Sequence, residues 1–336
     1  MRTARVLIVV SALLSLAGRA GAEASRPLLL SAREGASLQL TSGDRISLPV
    51  PAGAEMETAL SLADGWIAAG IHPDASGRSE ILVLTGDESA ITELPPPSGR
   101  AAALREQPLP LVEDGRLAGL LWLEGDSRTS LGVRFAEWNG SGWSEARTVS
   151  APGPGSQLAL TTARLADGTW LAAWSAFDGS DDEIVWSRRG RDGNWSPARR
   201  VAAGNQVPDI TPALTATRDG ALLAWSRFEA GEYRVVITRL RNGAWTRPES
   251  VGPAGSLFPG FEPAPQGRIW LLYRTAAPGG WTLAELDRQG RPTRRASIGS
   301  RTAASERPVA VATPDGPALA WPGRGERLAL RWEKAQ

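Results

Sequence analysis

The chain has 336 residues, a formal net charge of +1, 14 tryptophans against two tyrosines, and no cysteine. Without cysteine there are no disulfides, thiolate metal sites, cysteine nucleophile or lipid-modified N-terminal cysteine. The near-zero charge lacks the basic footprint that phosphate backbones demand, so nucleic acid is not expected as a partner.

Arg2 and Arg5 precede an apolar stretch from Val6 to Leu16, and Ala20-Gly21-Ala22 supplies the small-x-small site of a signal peptidase, with Ala22-Glu23-Ala24 as an alternative. The apolar stretch stops at Gly18-Arg19, short of the roughly 20 residues a spanning helix needs. Residues 1–22 therefore read as a signal peptide and residues 23–336 as one domain, periplasmic or secreted, with no membrane span after cleavage. Cleavage removes Arg2, Arg5 and Arg19, which tips the balance slightly acidic.

The mature chain repeats itself. An Asp-Gly turn recurs at Asp64-Gly65, Asp114-Gly115, Asp167-Gly168, Asp219-Gly220 and Asp315-Gly316, with Gln266-Gly267 in the remaining slot, at spacings of 47 to 53 residues. Asp-Gly between two apolar runs signals a hairpin, because the turn needs backbone conformations that glycine adopts cheaply. After most of these turns an apolar run ends in an aromatic: Trp122, Trp174, Trp225, Tyr273 and Trp321. A third strand follows, such as Leu131 to Trp138 or Arg234 to Leu240, and then a second turn with a tryptophan just beyond it, at Trp143, Trp195 and Trp245. The fourth strand begins there, as in Trp143 to Val149 and Trp195 to Val201.

Each unit is thus four short strands, and a lone four-stranded sheet cannot bury both its faces. Sheets stacked radially bury one another, and ring closure leaves few free edges. The sequence predicts an all-β, six-bladed β-propeller of four-stranded antiparallel blades, with the recurrent tryptophans packing between blades. The last unit, Arg307 to Trp332, carries three strands, and Asp44 to Pro49 resembles the fourth strand Ser89 to Pro95. The N-terminal strand is therefore expected to complete the C-terminal blade; Leu38 to Leu40 leaves seven blades as the alternative.

The run Glu183 to Pro197, with Asp192-Gly193-Asn194-Trp195 at its centre, resembles a unit of the sialidase-like superfamily, whose third-to-fourth-strand turn carries the Asp-box Ser-x-Asp-x-Gly-x-Thr-Trp. The similarity extends over the mature chain as repeat rhythm. Asp192 adjoins Gly193 directly, and Asn139 and Asn242 replace the Asp in other units. The resemblance implies a propeller. The activity it implies would require three arginines for a substrate carboxylate, an Asp acid and a Tyr–Glu nucleophile pair, in place of the usual two carboxylates. The Phe/Tyr-Arg-Ile-Pro motif is absent, and neither Tyr233 nor Tyr273 occupies a nucleophile position.

Propeller ligands converge on the face carrying the loops after the second and fourth strands. On that basis Arg227, Arg274, Arg307 and His72 are candidate ligand-binding residues, the arginines because guanidinium forks suit an anion. Asp178 and Asp209 are candidates for an acid/base pair. Asp178, Asp181, Asp182 and Glu183 offer oxygens to a hard cation, without the spacing of a recognised calcium loop, so no metal or cofactor is assigned. His72, the only histidine, has no Gly-x-Ser-x-Gly elbow to serve. The scaffold beside missing chemistry favours a non-catalytic module that binds a glycan or protein through its central loop face. The alternatives are a glycoside hydrolase or lyase, and a structural envelope protein with an apolar patch on its rim.

Overall fold

A computed structural model describes residues 28–31, 36–39, 45–74, 76, 78–87, 89–98, 104–202, 205–276, 280–298, 307–321 and 327–334; the expected signal peptide lies outside them. Regular structure in this range is almost entirely antiparallel β, with one 3-10 turn at Pro265–Gly267. No described helix is long and apolar enough to cross a membrane.

Among the described residues seven sheets follow one another along the chain. Sheet 2 holds Glu55–Leu62, Gly65–Pro73, Ser79–Gly86 and Ile91–Leu94, and sheet 3 holds Leu104–Glu113, Arg116–Gly125, Leu131–Glu137 and Arg147–Ser150. Sheet 4 holds Gln157–Arg164, Trp170–Phe177, Asp182–Arg189 and Arg199–Arg200. Sheet 5 begins with Asp209–Thr217, Gly220–Glu229 and Glu232–Arg241, and sheet 6 with Ser256–Pro263, Ile269–Thr275, Gly280–Leu286 and Pro292–Ile298. In each of these the strands pair in chain order, so every connection is a hairpin. At the tight turn opening sheet 5, Gly220 has φ +148, and a Cβ there would lie 2.1 Å from the Leu240 carbonyl oxygen. Only glycine fits.

The two ends differ from expectation. The N-terminal strand Arg45–Ser47 forms, but it pairs with Ser37–Gln39, which pairs with Leu29–Ser31, giving a three-stranded sheet 1. Sheet 7, Val309–Thr313, Gly316–Ala320 and Arg327–Ala329, is also three-stranded, and Glu333–Lys334 turns back to the outer edge of sheet 6. Among the described residues no strand pairing joins sheet 1 to sheet 7, so the expected completion of the C-terminal sheet by the N-terminal strand is not what these strands do. The reason is local: Leu38 and Ile46 sit opposite each other in register and pack against sheet 2 with Trp66 and Leu84. A nearby hairpin partner wins over a distant one.

Six apolar clusters each join one sheet to the next. The aromatic ending the second strand is in every case a member: Trp122 between sheets 2 and 3, Trp174 between 3 and 4, Trp225 between 4 and 5, Tyr273 between 5 and 6, and Trp321 between 6 and 7. The turn tryptophans Trp143, Trp195 and Trp245 pack on the same clusters from the outer side. Edge-on ring contacts between neighbouring sheets, Phe135–Trp195 at 5.7 Å and Trp186–Trp245 at 5.8 Å, fix the stacking.

The sheets converge along their first strands, which approach one another within 8 Å between Cα atoms, closer than the ~10 Å of face-to-face sheets. Four of these strands carry a bulge whose residue adopts a left-handed backbone: Gln107, Ala159, Thr211 and Phe258, with φ between 53° and 57°. A side chain from the preceding sheet reaches the bulged strand each time. The Glu57 carboxylate accepts from the Gln107 N–H, Gln107 Oε1 from the Leu160 N–H at 2.8 Å, and Ser226 Oγ from the Phe258 N–H at 3.0 Å. These clamps run in one sense from each sheet to the next.

Candidate functional site

Two charged regions stand out, on opposite edges of the sheets. The first is at the loop after the second strand of sheet 4. Asp178, Asp181 and Glu183 place carboxylate oxygens within 4.8 Å of one another. Arg200, from the fourth strand of the same sheet, reaches Asp178 Oδ2 at 2.7 Å and Glu183 Oε1 at 3.6 Å. Burial pushes the Glu183 carboxyl up to about 7, reinforced by Asp209, Asp181 and Asp178 and opposed by Arg200. Burial and the same like charges raise Asp181 and Asp182, whereas backbone N–H groups of Ser180 and Asp181 hold Asp178 below the usual carboxylate range.

Asp209 and Arg227 adjoin this cluster and belong to each other. Arg227 donates from Nε to Asp209 Oδ1 at 2.9 Å and from Nη2 to Oδ2 at 2.8 Å, while its guanidinium lies 5.3 Å from the Trp225 ring. Asn205 Nδ2 donates to Asp209 Oδ2 at 2.6 Å. Facing first- and second-strand positions 209 and 227 are direct partners in the sheet register, which is why the pair forms. Arg307 is likewise occupied, donating to Glu262 Oε1 at 2.6 Å and lying over Gly260. Arg274 is exposed at the end of its strand in sheet 6, and His72 is half-buried in sheet 2 opposite Glu80. The structure thus brings Asp178, Asp181, Glu183, Asp209 and Arg227 together. His72, Arg274 and Arg307 belong to other sheets, and Arg227 and Arg307 each hold a carboxylate of their own.

The second region is a cavity of about 730 Å³ on the opposite edge, where sheets 2, 3 and 4 meet. Ala63 and Asp64 of the first turn, Glu113, Asp114 and Arg116 around the second, Glu137 and Trp138 at the end of a third strand, and Arg189 of sheet 4 line it. The turns seat on one another because Gly115, at φ +75, lets its carbonyl accept from the Ala63 N–H at 2.8 Å; a Cβ at Gly115 would lie 2.7 Å from that of Ala63. Arg189 is the keystone. It reaches Glu113 Oε1 at 3.3 Å and Glu137 Oε1 at 2.8 Å, over the Phe135 ring at 5.1 Å. Trp170 Nε1 donates to Glu113 Oε1 at 2.7 Å, and Arg147 to Glu137 Oε1 at 2.7 Å. The hydrogen bond from Arg189, with Arg147 beside it, holds Glu137 below the usual carboxylate range.

Sequence reasoning missed this cavity. One signal was present: Trp138 pairs with Trp143 across the turn at the position where the next unit pairs Arg189 with Trp195 and the one after pairs Leu240 with Trp245. An extra aromatic at one copy of a repeated position marks a departure from scaffold duty.

No protein-family model matches the chain, and no curated protein matches it. Among solved structures, a Dyadobacter fermentans protein of unknown function is 14% identical over 84% of this chain and 94% of that one, with a TM-score of 0.53. The GH93 α-L-arabinofuranosidase of Fusarium graminearum, in complex with arabinobiose, is 9% identical over 84% and 95%, at 0.49. TolB from Acinetobacter baumannii is 16% identical over 83% of this chain and 64% of its own, at 0.47. The likeness is one of fold, an all-β chain of successive antiparallel sheets. It does not single out the sialidase-like superfamily that the repeat resembles.

Proposed function

We propose that this chain is an exported β-propeller of seven blades that binds a glycan without cleaving it, in the cavity between sheets 2, 3 and 4. The cavity's chemistry carries this reading. Carboxylate oxygens and guanidinium N–H groups offer acceptors and donors for hydroxyls, and Trp138 offers an apolar face for a sugar ring. A glycosidase needs one carboxyl kept protonated as general acid. Glu137 is held in the opposite state by Arg189 and Arg147, which supports recognition over hydrolysis. The reading moves the ligand from the central loop face, where the sequence put it, to the other edge. The seven successive sheets support the blade count, and the leader-like N-terminus supports export to the periplasm or beyond. A structural envelope role would want an apolar patch, whereas the exposed large apolar side chains among the described residues are two single leucines, Leu158 and Leu328.

A glycan array on the mature protein, followed by calorimetry on the best ligand, tests the proposal. Trp138→Ala and Glu113→Gln should each weaken binding at least tenfold, with no release of reducing sugar. Absence of any bound glycan, or release of reducing sugar by the wild-type protein, would overturn it.

A further inference from the structure

We infer that Asp178, Asp181 and Glu183 form a calcium site on the edge opposite the proposed glycan cavity. The oxygens of these three side chains lie within 4.8 Å of one another, although the residues come from both arms of one hairpin loop. Carboxylates crowded in this way repel, and chain entropy gives no reason for them to stay together. Two are deeply buried: Glu183 is 1% exposed and Asp181 9%. Glu183 Oε1 and Asp181 Oδ2 accept no hydrogen bond, and the guanidinium beside that glutamate oxygen, Arg200 Nη1, stands 3.6 Å away. Buried carboxylate oxygens without donors call for a partner that is not a hydrogen-bonding side chain.

Charge selects the partner. Asp209 and Arg227 neutralise each other alongside the cluster, so three carboxylates face the single positive charge of Arg200. With all three ionised the surplus is two negative charges, which one divalent cation balances. Geometry selects the ion. Calcium holds oxygens at about 2.3–2.6 Å, so two of its ligands stand up to ~5.2 Å apart, enough for the whole spread of these oxygens, whereas magnesium at about 2.0–2.1 Å spans only ~4.2 Å. The ligand set is all oxygen, as a hard cation prefers, and water completes the shell. Bound calcium would tie the second and third strands of sheet 4 together beside the first strand of sheet 5, stiffening the loop face.

Calcium titration calorimetry and melting curves in calcium against EDTA test the inference. The wild-type chain should bind one calcium and melt at least 3 °C higher in saturating calcium. Glu183→Gln and Asp181→Asn should each weaken binding at least tenfold. Both replace a buried charge isosterically, so in EDTA they should melt no lower than wild type, which separates lost binding from lost folding. Arg200→Gln removes the competing cation from Asp178 and should tighten binding, and Glu137→Gln in the other cavity should leave it unchanged. Identical melts in calcium and EDTA with no binding heat at 10 mM calcium would overturn the site. So would unchanged binding in Glu183→Gln and Asp181→Asn, weaker binding in Arg200→Gln, or loss in Glu137→Gln.

Discussion

Removing Arg227 should harm the fold more than removing its partner Asp209, although both looked like ligand-facing residues in the sequence. The Asp209 side chain is 1% exposed and Arg227 17%, joined by two hydrogen bonds of 2.8 and 2.9 Å. Breaking a buried pair by deleting one member costs about 3–5 kcal/mol, because the survivor is left uncompensated. Asp209→Ala leaves a guanidinium that still has the Trp225 ring, some water, and the nearby charges of Glu229 and Glu183. Its cost belongs at the lower limit, about 3 kcal/mol. Arg227→Met leaves a carboxylate sealed beside Glu183 and Asp181, two groups of its own sign, and belongs at the upper limit, about 5 kcal/mol. In the double variant the two losses should overlap by at least ~2 kcal/mol, as expected for a shared interaction. Urea unfolding of the four proteins, followed by tryptophan fluorescence, measures all three quantities. An Asp209→Ala cost below ~1 kcal/mol, or one exceeding that of Arg227→Met, would refute the structural role given to this pair.

Three further outcomes follow from the packing and the first strands. Trp225→Ala, at a fully buried residue between sheets 4 and 5, should cost about 3–5 kcal/mol in urea unfolding. Ala159→Gly relieves a left-handed backbone worth about 1–2 kcal/mol and loses a methyl and some chain entropy, so it should be nearly neutral; Ala172→Gly, in a regular buried strand, should cost about 1.5–2 kcal/mol. Glu57 is pushed up to about 8 by burial, then by Glu106 and Glu55, so from pH 4.5 to 8 the folded chain holds a proton that the unfolded chain releases. Rising pH should therefore destabilise the protein through that window, by at most about 1.4 kcal/mol per pH unit, and Glu57→Gln should flatten melting temperature against pH.

Much of the fold was legible because its signals are local. Asp-Gly turns announce hairpins, and an aromatic at the end of each second strand announces a face that another sheet must cover. Tyr273, read as standing in for a tryptophan, does so: it is fully buried between sheets 5 and 6, as Trp225 is between 4 and 5. The ends were harder, since Arg45–Ser47 fits either a distant edge or the adjacent hairpin, and periodicity is the same for both. The cavity was illegible for a related reason. Glu113, Glu137 and Arg189 come from three strands in two sheets, and only the stacking angle brings them onto one guanidinium.

The chain's arginines decide which ligand chemistry remains open. With Lys334 the only lysine, nearly every positive charge is a planar fork, and forks have been drawn into the scaffold. Arg105 holds Glu124, Arg227 holds Asp209, Arg307 holds Glu262, and Arg294 grips Glu285 beneath the Trp332 ring. Each of the first three pairs is largely shielded from water, so an anionic ligand would have to displace a carboxylate already held at close range. That penalty, more than any missing motif, argues against recognition of an acidic sugar at the loop face. In the cavity the balance is reversed: Glu113 and Glu137 share Arg189 yet remain about a third exposed, so acceptor capacity still faces solvent. Hydroxyls are the groups that such a surface can engage without breaking what already holds it together.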